Sequence, residues 1–120
     1  MPVDITLQDV INSIDDFADA REWDQFHSPK NLSASITIEA NELLEIFQWN
    51  DPSREELLNN DSMFQNTSEE IADVMIYCLR FCSTLGLDPL SIITSKLQTN
   101  ERKYPVNKSK GSSLKSVTKR

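Results

Sequence analysis

Ile36-Thr37-Ile38-Glu39-Ala40-Asn41-Glu42-Leu43-Leu44-Glu45-Ile46-Phe47 decides the fold. Apolar side chains recur here at helical rather than alternating spacing, and three glutamates interrupt them at intervals of three. At about 100° per residue, a step of three moves a side chain about 60° around a helix axis. Glu39, Glu42 and Glu45 therefore share one arc, and the residues flanking that arc are apolar. Like charges one turn apart repel, and burying them without partners costs far more. A hard divalent cation with oxygen ligands removes that cost.

A second stretch repeats the pattern after 27 intervening residues. Glu70 and Asp73 are again three apart, set among Ile71, Ala72, Val74, Met75 and Ile76. One such acidic pair is commonplace on a solvated helix face. Two pairs, each in apolar surroundings, predict two helices that turn Glu39, Glu42, Glu70 and Asp73 inward around a shared metal site. The all-oxygen donor set favours Mg²⁺ or Mn²⁺ over zinc or iron.

Around these two segments the pattern predicts an all-α bundle of four to five helices. The first runs from about Leu7 to Glu22, with Val10, Ile11, Ile14, Phe17 and Ala18 on one face and Asp4 or Thr6 as cap. The second runs from Pro29 to about Trp49. A short third follows a capping box formed by Ser53 and Glu56. Thr67 and Glu70 read as a further capping box opening the fourth helix, which Gly86 ends near Leu85. The fifth covers Leu90 to Lys103, closed by Tyr104-Pro105.

At 120 residues the chain is long enough for one domain, placed at residues 1–106. Of its 12 basic residues, five (Lys108, Lys110, Lys115, Lys119 and Arg120) follow Val106, so residues 107–120 read as a basic disordered tail. The body before it carries seven basic and 19 acidic residues. Such a body is a poor partner for nucleic acid, whose phosphates require cations. No apolar run is long enough to span a membrane, and Met1 to Asp9 lacks the pattern of a secretory signal. Cys78 and Cys82 lie in an apolar helical pattern and read as buried thiols. Together these features predict a cytoplasmic protein without nucleic-acid or membrane partners.

The acidic pairs do not stand alone. Trp23-Asp24-Gln25-Phe26-His27, Glu42-Leu43-Leu44-Glu45-Ile46-Phe47-Gln48-Trp49 and Lys103-Tyr104-Pro105 accompany them. With Glu39-x-x-Glu42 and Glu70-x-x-Asp73, the set resembles the MazG-like all-α NTP pyrophosphohydrolases, most closely the dCTP pyrophosphatase-like subgroup. The resemblance extends over about residues 7 to 106, although Asn50 to Thr67 carries no motif of the family. It implies Mg²⁺-dependent hydrolysis of a nucleoside triphosphate to the monophosphate and pyrophosphate, with dCTP or dATP as the expected substrate and nucleotide-pool housecleaning as the role. It also implies a homotetramer, a dimer of dimers with pockets shared between subunits.

Under that resemblance Glu39, Glu42, Glu70 and Asp73 are metal ligands. Glu45 is either a base or outer-sphere group or a solvated helix residue. Trp23, Gln25, Phe26, His27, Trp49 and Tyr77 are implied to contact the nucleotide, aromatic faces being suited to stacking and to core packing alike. Lys96 and Asn100 share a helix face and, with Tyr104, are candidates for contact with the substrate, against the alternative of a solvated helix. Two other functions compete: a metal-dependent hydrolase of another phosphorylated nucleotide, and a helical interaction module without activity.

Overall fold

The computed structural model describes residues 4–113. These residues contain six helices and no strand, and the chain separates into two compact units, Met1–Gly86 and Leu87–Arg120.

In the first unit α1 spans Leu7–Ala20. Thr6 caps it through a reciprocal pair of bonds: Asp9 N–H donates to the Thr6 hydroxyl, and Thr6 N–H to the Asp9 carboxylate. The chain then turns through Glu22, which takes a left-handed φ of 55°, into a single 3-10 turn over Asp24–Phe26. Next comes α2, Pro29–Ile46, with Ser28 as cap and Pro29 in its first turn. It ends three residues before the expected Trp49, because the backbone tightens there: Phe47 N–H bonds to Leu44, and Asn50 N–H to Phe47, each three residues back. Ser53 and Glu56 form the expected capping box at the head of α3, Arg54–Leu58.

The fourth helix departs most from expectation. α4 spans Asp61–Leu85, beginning six residues before Thr67. Asn60 caps it by accepting from Met63 N–H, and Asp61 places a negative charge at the positive end of the helix. Thr67 is therefore no cap. It is buried in the helix interior, where its hydroxyl donates to the Met63 carbonyl at 2.7 Å. At the far end Gly86, at φ 68°, supplies the left-handed residue that stops the helix.

α4 is the centre of the first unit, packing most extensively on α2 and then on α1 and α3. Its apolar core is small: Leu32 is fully buried, and Ile11 and Ala18 are nearly so. Ile38, Leu44, Ile71 and Met75 of α2 and α4 remain exposed.

The second unit holds α5, Pro89–Lys103, capped by Asp88, and the one-turn α6, Val106–Ser109. α6 lies where the sequence places the start of the tail. Pro105, extended at its head, permits this by breaking α5 and starting a new turn. Residues 114–120 of the expected tail lie outside the described residues. No single described helix is long and apolar enough to cross a membrane.

Candidate metal centre

The packing of α2 on α4 brings two helical faces together, and each contributes acids at i and i+3. Glu39 of α2 and Glu70 and Asp73 of α4 each offer a carboxylate oxygen, and the three oxygens lie within 4.8 Å of one another. Glu42, one turn beyond Glu39, lies within hydrogen-bonding reach of both Glu39 and Glu70. All four residues are half-buried.

The electrostatics follow from that crowding. Loss of solvation, then a hydrogen bond shared with Glu42 and the charges of Glu42, Asp73 and Glu70, push the Glu39 carboxyl up to about 7. Glu70 is raised for the same reasons, loss of solvation first. Glu39 Oε2 and Glu70 Oε2 are buried and have no hydrogen-bond partner. The described ion pairs, Arg80 with Asp15 and Arg80 with Asp24, leave the cluster uncompensated. Orphaned carboxylate oxygens of this kind suit a hard divalent cation, and the donor set contains no nitrogen or sulfur.

Glu45 does not join the cluster. It is exposed, and its carboxylate accepts from Asn41 Nδ2 at 3.1 Å.

Beside the cluster lies a cavity of about 470 Å³. Glu39 and Asp73 line it on the acidic side, and Phe17, Trp23, Ile76 and Tyr77 give it apolar walls. Tyr77 is there because it follows Asp73 by four on the same face of α4. Trp23 is held edge-on by Phe17, with ring centroids 5.6 Å apart. His27 also lines the cavity.

The other expected nucleotide contacts are placed elsewhere. Phe26 and Gln25 are exposed and outside the cavity lining, Gln25 donating to the Glu22 carbonyl. Trp49 is 85% exposed and also outside it, since the tightened end of α2 carries it away. Lys96, Asn100 and Tyr104 belong to the second unit. There Lys96 and Asn100 line a groove on α5 with Ile92, Ile93 and Leu97, and Tyr104 N–H closes the helix on the Asn100 carbonyl.

Arg80 is a cavity residue that the sequence pattern passed over. It is only 5% exposed and donates to three partners: Asp15 at 2.8 Å, Asp24 at 3.0 Å and His27 Nδ1 at 3.0 Å. Ser83 donates to the second oxygen of Asp15. The available signal was a single cation in the apolar run Ile76-Tyr77-Cys78-Leu79-Arg80-Phe81, which demands buried counter-charges.

Known proteins resemble the chain along most of its length. The model of the MazG-like family matches residues 34–116. The dCTP pyrophosphatase 1 of Bos taurus is 36% identical over 112 residues, which is 92% of this chain and 66% of that protein. The dCTP pyrophosphatase 1 of Homo sapiens is 34% identical over 114 residues, covering 92% and 65%. The chain thus spans just under two thirds of the length of these relatives. A crystal structure of a pyrophosphatase from Archaeoglobus fulgidus superimposes with a TM-score of 0.76 at 40% identity, covering 88% of this chain and 97% of that one. A match of this extent, in a chain whose acidic pairs converge from two packed helices, has one reading: the chain belongs to the MazG-like family.

Proposed function

We propose that this chain is a metal-dependent nucleoside triphosphate pyrophosphohydrolase, cleaving the bond between the α- and β-phosphates to release a nucleoside monophosphate and pyrophosphate. One observation carries the reading: carboxylates of Glu39, Glu70 and Asp73 converge, two of them with orphaned buried oxygens, at the edge of an aromatic-lined cavity. Relatives named dCTP pyrophosphatase 1 and a structural neighbour named pyrophosphatase support it.

Glu39, Glu42, Glu70 and Asp73 hold the cation, Mg²⁺ or Mn²⁺. When bound, it offsets the charge of the triphosphate and acidifies water near the α-phosphorus. The protein residues do the rest. The acidic cluster would fix the phosphate end of the substrate only through the cation it would hold, since Arg80, the one cation among the described cavity residues, is already engaged. Trp23 and Tyr77 offer flat faces to the base, and a cavity of about 470 Å³ accommodates a base and sugar. Glu45, one turn past Glu42 but exposed and bonded to Asn41, is a candidate outer-sphere group and not a member of the cluster. A deoxyribonucleotide, dCTP or dATP, is the expected substrate, and pool housecleaning in the cytoplasm the expected role.

The chain assembles as a homotetramer, a dimer of dimers. Exposed Ile38, Leu44 and Met75 supply apolar surface for subunit contacts, and Trp49 completes a neighbouring subunit's site.

Pyrophosphate release from a panel of ribo- and deoxyribonucleotides, with and without Mg²⁺, tests the reading. Metal-dependent release that differs among bases is expected. No release from any nucleotide, together with a melting temperature indifferent to millimolar Mg²⁺, would identify a helical interaction module instead.

A further inference from the structure

Arg80 differs from the other cavity residues in directing each of its three nitrogens at a side-chain partner. Its Nη1 faces Asp15 on α1, its Nη2 faces Asp24 on the 3-10 turn, and its Nε faces the imidazole of His27. Asp15 is itself held by Ser83, one turn along α4 from Arg80. A guanidinium is always protonated and has no acceptor. An N–H that donates to His27 Nδ1 at 3.0 Å therefore requires a lone pair on that nitrogen. The proton of the neutral ring then resides on Nε2, at the opposite edge.

We propose that Arg80 is a positioning residue that locks His27 as the Nε2–H tautomer, furnishing the cavity with an N–H donor for an acceptor atom of the nucleobase. This inference rests on the nucleotide reading of the cavity given above.

Three further observations support it. First, His27 lines the same cavity as Trp23 and Tyr77, so a base lying against those rings presents its edge near the imidazole. Second, the ring of His27 stands at 68° to that of Trp23, with centroids 6.3 Å apart. The two rings thus meet edge to face and are not stacked on one another. Third, protonation of His27 would turn Nδ1 into a donor aimed at a donor. Loss of solvation and the Arg80 charge hold its pKa below the usual histidine value, while Asp24 opposes them. Asp15, Asp24 and Arg80 are the charged groups in this network, and Asp15 and Asp24 spend their charge chiefly on Arg80. His27 therefore acts as a fixed neutral donor. Acceptors that fit are a base carbonyl or an unprotonated ring nitrogen.

His27 is the single histidine of the chain, so its side-chain nitrogens are uniquely assignable by NMR. Long-range ¹H–¹⁵N spectra of the native full-length protein at pH 7.5 are expected to give an unprotonated Nδ1 and a protonated Nε2. A protonated Nδ1, or an averaged pair, overturns the proposal without any variant being made. Arg80→Gln is expected to shift these signals toward an averaged tautomer. Kinetics supply the second arm. In His27→Gln the amide N–H reaches the place of Nε2, and KM should stay within about threefold of native. In His27→Asn it does not, and KM should rise about tenfold with kcat little changed. Equal losses in Gln and Asn variants overturn the proposal. A native protein that releases no pyrophosphate from any nucleotide overturns the enzyme reading and the base contact together, whereas a wrong tautomer in an active enzyme overturns the role of Arg80 alone.

Discussion

Glu39 on α2 and Asp73 on α4 are far apart in the chain, yet each brings a carboxylate oxygen within 4.8 Å of the other's. Among the described residues, no ion pair compensates the cluster that these two form with Glu42 and Glu70. Neutralising one member should therefore relieve repulsion in the metal-free protein while removing a ligand from the loaded one. Glu42→Gln and Asp73→Asn are expected to abolish pyrophosphate release with far-ultraviolet circular dichroism unchanged. Without Mg²⁺, both should melt above the parent. A lower melting temperature would mean that these carboxylates stabilise the fold as hydrogen-bonded partners.

The raised pKa of Glu39 sets a direction for pH. Folded, its carboxyl titrates at about 7 against an ordinary value of 4.5. Between those values the native chain holds a proton that the unfolded chain has lost, so this group's contribution to stability falls as pH rises through the window. His27 acts oppositely, because its lowered pKa makes the unfolded chain the better proton acceptor on acidification below 6.5. Thermal melts of the metal-free protein at pH 5.5 and 8, compared with Glu39→Gln, separate the two. The substitution should raise the melting temperature more at pH 8 than at 5.5. Adding Mg²⁺ should likewise stabilise more at pH 8, where protons no longer compete with the cation for the carboxylates.

Arg80 holds two carboxylates of unequal burial, with Asp15 27% and Asp24 77% exposed at the side chain. Removing the sheltered partner leaves a buried charge uncompensated, while an exposed ion pair contributes little. Asp15→Ala is expected to destabilise by about 2 kcal/mol and Asp24→Ala by less than about 1 kcal/mol. Urea denaturation read by tryptophan fluorescence measures both. Equal losses would mean that the 3-10 turn bears the charge of Arg80 as much as α1 does.

The sequence exposed those features that repeat along one helix. Glu39 and Glu42, then Glu70 and Asp73, are legible because helical spacing and apolar flanks bear on the same few residues. Ser53 was readable as a cap for the same local reason, and Thr6 as one of two candidates beside Asp4. Thr67 misled because a threonine followed by a glutamate at i+3 has the spacing of a capping box wherever it falls. Only the true start, set by Asn60 and Asp61, reveals that its hydroxyl serves Met63 instead. The Arg80 network was illegible for a different reason. Its partners lie 53 to 68 positions away, on elements whose juxtaposition depends on how α1 and the 3-10 turn pack against α4. Trp49 falls between these cases: its aromatic character was plain, but the tightened end of α2 decides where it goes.

Trp23 provides a test that divides base recognition from phosphate chemistry. It lines the cavity and is braced by Phe17, whereas the acidic cluster lies on α2 and α4. Trp23→Ala should therefore raise KM about tenfold or more and flatten preferences among bases, stacking contributing about 1–3 kcal/mol per base, while kcat changes less than threefold. Steady-state kinetics with each nucleotide measure this. An equal fall in kcat for every base would mean that the indole supports the metal centre rather than the base.

Surface composition leads to the last expectation. Ile38 and Leu44 on α2 and Met75 on α4 are 57%, 63% and 54% exposed, while just one large side chain, Leu32, is fully buried among the described residues. A chain with so small a core and so much apolar helix surface is expected to bury that surface against copies of itself. Light scattering at micromolar concentration should give the mass of a tetramer. Met75→Glu and Leu44→Glu should lower it, since a charge introduced into an apolar contact must be desolvated. Because Trp49 is proposed to complete a neighbour's cavity, variants that dissociate should also lose affinity for nucleotide while their helicity persists. A monomeric native protein with full activity would remove both the assembly and the shared site.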